Sequence, residues 1–210
     1  MSDREALAAT LDGWRSRWPE WQIAETFIAE TARDVAVAWF MLLGELAEAA
    51  WGGSDPTPGL AKLGWWQEEL RGWSKGLRRH PLGLALQKQP VEWSAFADSL
   101  GVLRDRDQAH ADESAAATAL QPFLAAIAAV ERQLFGDAAR DSDPLQLLRT
   151  LKVSIGSPLA AGRLQRGGPR PRRLFDALAM ARANAVRKGD AIVLSRWRTL
   201  VLAWRAARGR

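Results

Sequence analysis

The titratable side chains whose spacing could support chemistry are few. Glu45 and Glu48 lie three residues apart, neighbours on one helical face. On a straight helix Val37, Met41, Gly44 and Glu48 share a line opposite the stripe through Trp39, so this helix is apolar on two faces along its upper part, as a central bundle helix would be. Val37, Met41, Glu45 and Glu48 are therefore candidate pocket residues. Glu48, at the lower end of the line, either reaches into an interior cavity or emerges into solvent where burial ends. The two histidines offer less: His80 precedes a proline in a turn and His110 lies in a charged loop. Zinc and di-iron sites recruit histidine from a helix beside a spaced carboxylate or second histidine, and neither residue is so placed. No Ser-His-Asp order, glycine-rich phosphate loop or paired-cysteine motif is present, so no catalytic residue, metal ligand or cofactor is predicted.

Eleven tryptophans, nine of them before Ser94, could stack on a ligand or form an interface. Most fall on apolar helical faces, which predicts core packing. Trp65 lies off the stripe through Trp66 and Trp73 and is a further candidate for a pocket wall.

The elements that carry these residues are helical. No segment alternates apolar and polar residues for long, and tyrosine is absent. Leu63, Trp66, Leu70, Trp73 and Leu77 recur at spacings of three and four behind a Thr57-Pro58 start. Val35, Trp39, Leu42, Leu46 and Ala49 form a second stripe, and Val193, Trp197, Leu200, Val201 and Trp204 a third. Turn chemistry at Trp51–Pro56, Arg79–Gly83, Gly136–Pro144 and Gly167–Pro171 separates them. The spacing predicts helices near 3–17, 22–50, 57–78, 92–104, 112–135, 143–155, 172–188 and 192–208, joined by short loops into an all-α, single-domain antiparallel helical bundle spanning 1–210. Within it, 1–165 reads as the core bundle and 170–210 as a basic helical hairpin packed on it.

A chain of 210 residues holds one domain with a substantial core. The absence of cysteine excludes a disulfide framework and suits a reducing cytoplasm, and the N-terminus does not read as a secretory signal. The longest apolar run, Val35 to Leu43, is about half of what a bilayer span needs, so no transmembrane helix is expected. The net charge of +5 is uneven: from Arg163 onward 13 Lys/Arg face Asp176 and Asp190, a balance of +11, and the rest of the chain carries −6. Such a segment suggests an anionic partner, a fit against the acidic body, or only the arginine usage of a GC-rich genome. The stripe from Val193 is expected to bury against the bundle, leaving Arg196, Arg198, Arg205 and Arg208 as an outward basic patch for an acidic partner, anionic lipid or nucleic acid, with peripheral membrane contact one outcome.

The stretch from Arg33 to Leu86 resembles the squalene/phytoene synthase family of head-to-head prenyl synthases. The matching residues are Arg33-Asp34-Val35-Ala36-Val37-Ala38-Trp39-Phe40, then Lys62-Leu63-Gly64-Trp65-Trp66-Gln67-Glu68-Glu69-Leu70, then Gly76 and His80-Pro81. The resemblance implies the isoprenoid synthase fold and two aspartate-rich motifs holding magnesium against substrate diphosphates. Here Ala47, Glu48 and Trp51 stand where the first motif's aspartates would be, and Leu147 to Arg163, where the second is expected, contains no acidic residue. The reading that follows is a non-catalytic relative acting as an accessory, assembly or isoprenoid/lipid-binding protein. The alternatives are a divergent prenyltransferase, using magnesium alone or with a partner subunit, and a basic adaptor for anionic surfaces.

Overall fold

The computed structural model describes residues 2–105, 112–138, 140–156, 167–190 and 193–209. Among them the chain is 76% helical with no strand, an all-α helical bundle. The helices are α1 (Asp3–Arg17), α2 (Trp21–Ala24), α3 (Glu30–Trp51), α4 (Pro56–Trp73), α5 (Gly83–Leu86), α6 (Trp93–Ser99), α7 (Glu113–Ala119), α8 (Gln121–Phe135), α9 (Pro144–Ser154), α10 (Arg170–Lys188) and α11 (Arg196–Arg208).

Local chemistry sets the starts. Ser2 and Glu5 form a reciprocal capping box on α1. Asp55 caps α4 by accepting from the Thr57 N–H at 2.9 Å, with Pro56 as first helical residue, so the helix begins ahead of the expected Thr57-Pro58 start. Asp143 and Pro144 repeat the device on α9. Gly189, at φ 72°, ends α10 in the left-handed conformation that glycine adopts without penalty.

Two predicted helices are broken. The 22–50 segment divides into α2, a 3-10 turn at Glu25–Phe27 and α3, and the guanidinium of Arg33 donates back to the carbonyls of Glu25 and Ile28 across the break. The 112–135 segment bends by 72° at Leu120 between α7 and α8, where Pro122, the second residue of α8, cannot donate into the preceding turn. No single helix among the described residues is long and apolar enough to cross a membrane; the bent α7–α8 pair passes by length and composition only.

The core forms around α3 and α10. Helix α3 buries Val37, Trp39, Phe40, Leu42, Leu43 and Leu46 and packs against α1, α4, α5 and α9. Gly59 lets α4 close on it: a Cβ there would lie 2.2 Å from the Ala49 carbonyl oxygen. Helix α10 buries eleven of its residues and packs against α8, α9 and α11, so it belongs to the core itself. The aromatic residues interlock by edge and face, from Trp14, Trp21 and Phe40 through Phe175, and from Trp66 and Trp73 through Trp93 to Phe96 and Phe123. In the α4 stripe, Leu63, Trp66, Leu70 and Trp73 are buried, but Leu77 is 65% exposed because the helix ends at Trp73 and turns through Gly76.

The last helix packs on the bundle with its arginines outward as expected, but by the opposite face from the one expected to bury. Trp197 is 78% exposed, and Val193, Leu200, Val201 and Trp204 are exposed with it. Helix α11 instead buries Thr199, Ala203 and Ala206, the small-residue side of the same helix. Short side chains let α11 lie close to α10 and α2, and two polar ties hold it there. Arg173 donates to the Ala206 and Ala207 carbonyls at 2.9 and 3.1 Å, satisfying the C-terminal end, and Glu20 accepts from the Leu194 N–H at 2.9 Å ahead of its start.

Candidate functional site

The main cleft, about 810 Å³, lies between α1, α3, the C-terminal end of α9 and α10. Its size falls within the range of small-molecule sites. Helix α1 contributes Trp14 and Arg17, with Trp18 just beyond its end. The lower half of α3 contributes Phe40, Met41, Gly44, Glu45 and Glu48, one turn below another, and a Cβ added at Gly44 would meet nothing within 4 Å. Opposite stand Val153 to Gly156, with Phe175, Arg182, Ala183, Val186 and Arg187 from α10.

Aromatic and aliphatic side chains form the floor. Phe40 and Phe175 stack in parallel, 4.3 Å between centroids, and Trp18 lies 5.2 Å from Phe175. The charged groups are three arginines and two glutamates. Arg182 is held by three contacts: its guanidinium lies 4.3 Å from the Trp18 ring centroid, donates to the Arg17 carbonyl at 2.9 Å, and stands 3.7 Å from the buried Glu20 carboxylate. Burial lowers its pKa and Glu20 partly offsets this, but a guanidinium keeps its charge. Glu45 is engaged by Lys62, with oxygen and nitrogen 2.6 Å apart, while Glu48 is exposed at the cleft's lower edge. A smaller recess of about 360 Å³ shares Glu48, Ile155 and Gly156 with the cleft and adds Lys152.

Behind the Phe40–Phe175 pair lies a fully buried polar cluster. Arg172, its guanidinium 5.0 Å from the Phe40 centroid, donates to both Glu131 oxygens and to Asp176 at 3.1 Å. Glu131 also accepts from the Trp39 indole at 2.9 Å, which ties α3, α8 and α10 together. Burial above all pushes the Asp176 carboxyl up to about 7, with Arg172 and the Thr150 hydroxyl opposing it and Glu131 reinforcing it. Asp176 in this dry interior therefore holds its proton to higher pH than a free carboxyl does.

The other sequence candidates lie elsewhere. Val37 is wholly buried and does not line the cleft. Trp65 is half-buried on α4, its ring 5.0 Å from Trp66 and 6.0 Å from His80, with the Arg79 guanidinium 5.5 Å away. It packs against the turn at Arg79 and His80 rather than lining the cleft. That turn is organised by Glu69, which is buried and accepts from the Arg79 and His80 backbone N–H groups, the Trp73 indole and the Arg79 side chain. His80 Nδ1 in turn accepts from the Leu82 N–H at 3.2 Å, and burial lowers the histidine's pKa, with Glu45 and Glu69 opposing. His110 lies outside the described residues. Arg196, Arg198, Arg205 and Arg208 are exposed on α11, away from the cleft lining.

Sequence reasoning missed Trp14, Trp18, Phe40, Phe175 and Arg182 as cleft residues. The four-residue spacing of Trp14 and Trp18 marks a face of α1, yet nothing in the sequence shows that α10 comes to meet it.

The residues present do not fit magnesium. Glu45 is paired with Lys62, the facing α9 segment is Val153, Ser154, Ile155 and Gly156, and among the described residues no three His, Asp or Glu side chains are grouped to hold a metal ion. The cleft combines an apolar floor, stacked aromatic rings and guanidinium groups set near them. No family model matches the chain, and neither a curated protein nor a solved structure matches it.

Proposed function

We propose that this chain is a non-catalytic squalene/phytoene synthase-like protein that binds an amphiphile, an isoprenoid or lipid with an anionic head, in the cleft between α1, α3, α9 and α10. One observation carries the reading: an aromatic floor of Phe40, Phe175 and Trp18 sits directly beside the Arg182 guanidinium. An apolar chain would cover the floor, and a phosphate or diphosphate would pair with arginine, whose planar fork suits phosphate oxygens. The resemblance supports the same reading. The cleft lies between the Glu45–Glu48 stretch and the Val153–Gly156 stretch, where that family's two metal-binding motifs would be expected, and this chain supplies too few carboxylates for a metal-assisted diphosphate departure.

The test is calorimetric titration of farnesyl diphosphate, and separately farnesol, into the full chain without magnesium, followed by an assay for pyrophosphate release with magnesium. Binding of the diphosphate, weaker binding of the alcohol and no release are expected. Absence of diphosphate binding removes the ligand-binding reading, and magnesium-dependent release removes the non-catalytic one.

A further inference from the structure

Helix α11 presents to solvent the side of itself that a soluble bundle ordinarily hides. At about 100° per residue, Trp197, Leu200, Val201 and Trp204 fall within an arc roughly 100° wide. All four are exposed, Trp197 at 78%, while the inward side is sealed on the protein through Thr199, Ala203 and Ala206. The helix is therefore fixed in orientation, and its outer surface is a convex apolar strip.

The strip is bordered by cations. Arg198 and Arg205 flank it on one side and Arg196 on the other, all exposed. Arg208 lies over the Trp204 ring, 4.2 Å from its centroid. None of these four guanidinium groups pairs with a carboxylate among the described residues. Two tryptophans two turns apart, with arginines at the edge of the same face, match the chemistry of a lipid interface: indoles rest at headgroup depth and guanidiniums meet lipid phosphates. A second copy of this chain fits less well, because a two-fold pairing of these strips would bring both sets of arginines together without counter-charges.

We infer that α11 is a membrane-interface anchor, lying in the plane of an anionic bilayer with Trp197, Leu200, Val201 and Trp204 inserted and its arginines on the phosphates. The inference stands apart from the cleft and does not depend on what binds there.

The test uses the full chain with vesicles of phosphatidylcholine alone and of phosphatidylcholine with phosphatidylserine, read by flotation and by quenching of tryptophan emission with brominated lipid. Anionic vesicles should bind it, more weakly as salt rises, and the brominated lipid should quench. The exposed double variant Trp197→Ser/Trp204→Ser should keep the parent's circular dichroism and lose about tenfold or more in affinity. Arg198→Glu/Arg205→Glu should lose binding to the anionic vesicles. No binding to anionic vesicles at low salt, or binding that the tryptophan variant leaves unchanged, overturns the inference. So does a dimer, detected by sedimentation without lipid, that the tryptophan variant dissolves, since the strip would then be a protein interface.

Discussion

The Arg182 guanidinium lies 4.3 Å from the centroid of the Trp18 ring, so that a cation at the edge of the cleft is held over its aromatic wall. The pair has different origins, one residue on α10 and the other just past the end of α1, and it positions a largely buried charge beside apolar surface. If an anionic head binds here, Arg182→Ala should weaken farnesyl diphosphate binding by about ten- to a hundredfold while changing farnesol affinity little, because removing one charge-assisted contact costs roughly 1.5–3 kcal/mol. Calorimetry on both ligands reads the difference, and an equal loss for both would assign Arg182 to packing alone.

Gly44 offers a cleaner separation of stability from binding. Its position is within α3 and a Cβ there meets nothing within 4 Å, so Gly44→Ala should raise stability by about 0.5–1 kcal/mol through the unfolded chain. Gly44→Phe projects a ring into the cleft and should abolish ligand binding with a melting temperature near the parent's. Denaturant titration and calorimetry on the two variants check both halves.

The buried cluster predicts a pH dependence of stability. Asp176 is raised from 3.8 to about 7 in the folded protein. Between those values the unfolded chain has released the proton that the folded chain retains, so this group's contribution is full below 3.8 and falls as pH rises through about 7. Asp176→Asn keeps an oxygen acceptor for Arg172 and removes the ionisation. It should flatten that fall and match or exceed the parent's stability at pH above the folded value. Melting curves across the window decide it, and an unchanged slope in the variant would count against a retained proton.

Glu69 predicts the opposite slope. Burial works against its ionised form, but hydrogen bonds from the His80 and Arg79 backbone, the Trp73 indole and the Arg79 side chain outweigh it and hold the carboxyl below 4.5. Its stabilisation is therefore full above 4.5 and is lost as pH falls through the lower folded value. Glu69→Ala leaves those donors unpaired in the interior and should cost about 3–5 kcal/mol, seen as a lowered denaturation midpoint. Glu69→Gln should cost less, since its amide oxygen still accepts, and should lose the acid-side dependence.

What could be read from the amino acids alone was periodicity and its punctuation. The three- and four-residue spacing through Trp39, Leu42 and Leu46 and through Leu63, Trp66 and Trp73 required apolar helical faces, and the prolines and glycines between them required turns, because both are local consequences of backbone geometry. The placement of Met41, Gly44 and Glu48 along one line of α3 was legible for the same reason, though not what would stand opposite. That depends on α10, more than a hundred residues later in the chain, meeting α1 and α3 so that Phe175 stacks on Phe40 and Arg182 on Trp18. Helix α11 shows the limit most clearly. Its apolar stripe is real in the sequence, yet periodicity states only that one face differs from the other, not which face turns inward. The tertiary structure decided that through Arg173 at the carbonyl end of α11, Glu20 ahead of its start, and the close fit of Ala203 and Ala206, which leaves Trp197 and Trp204 facing outward.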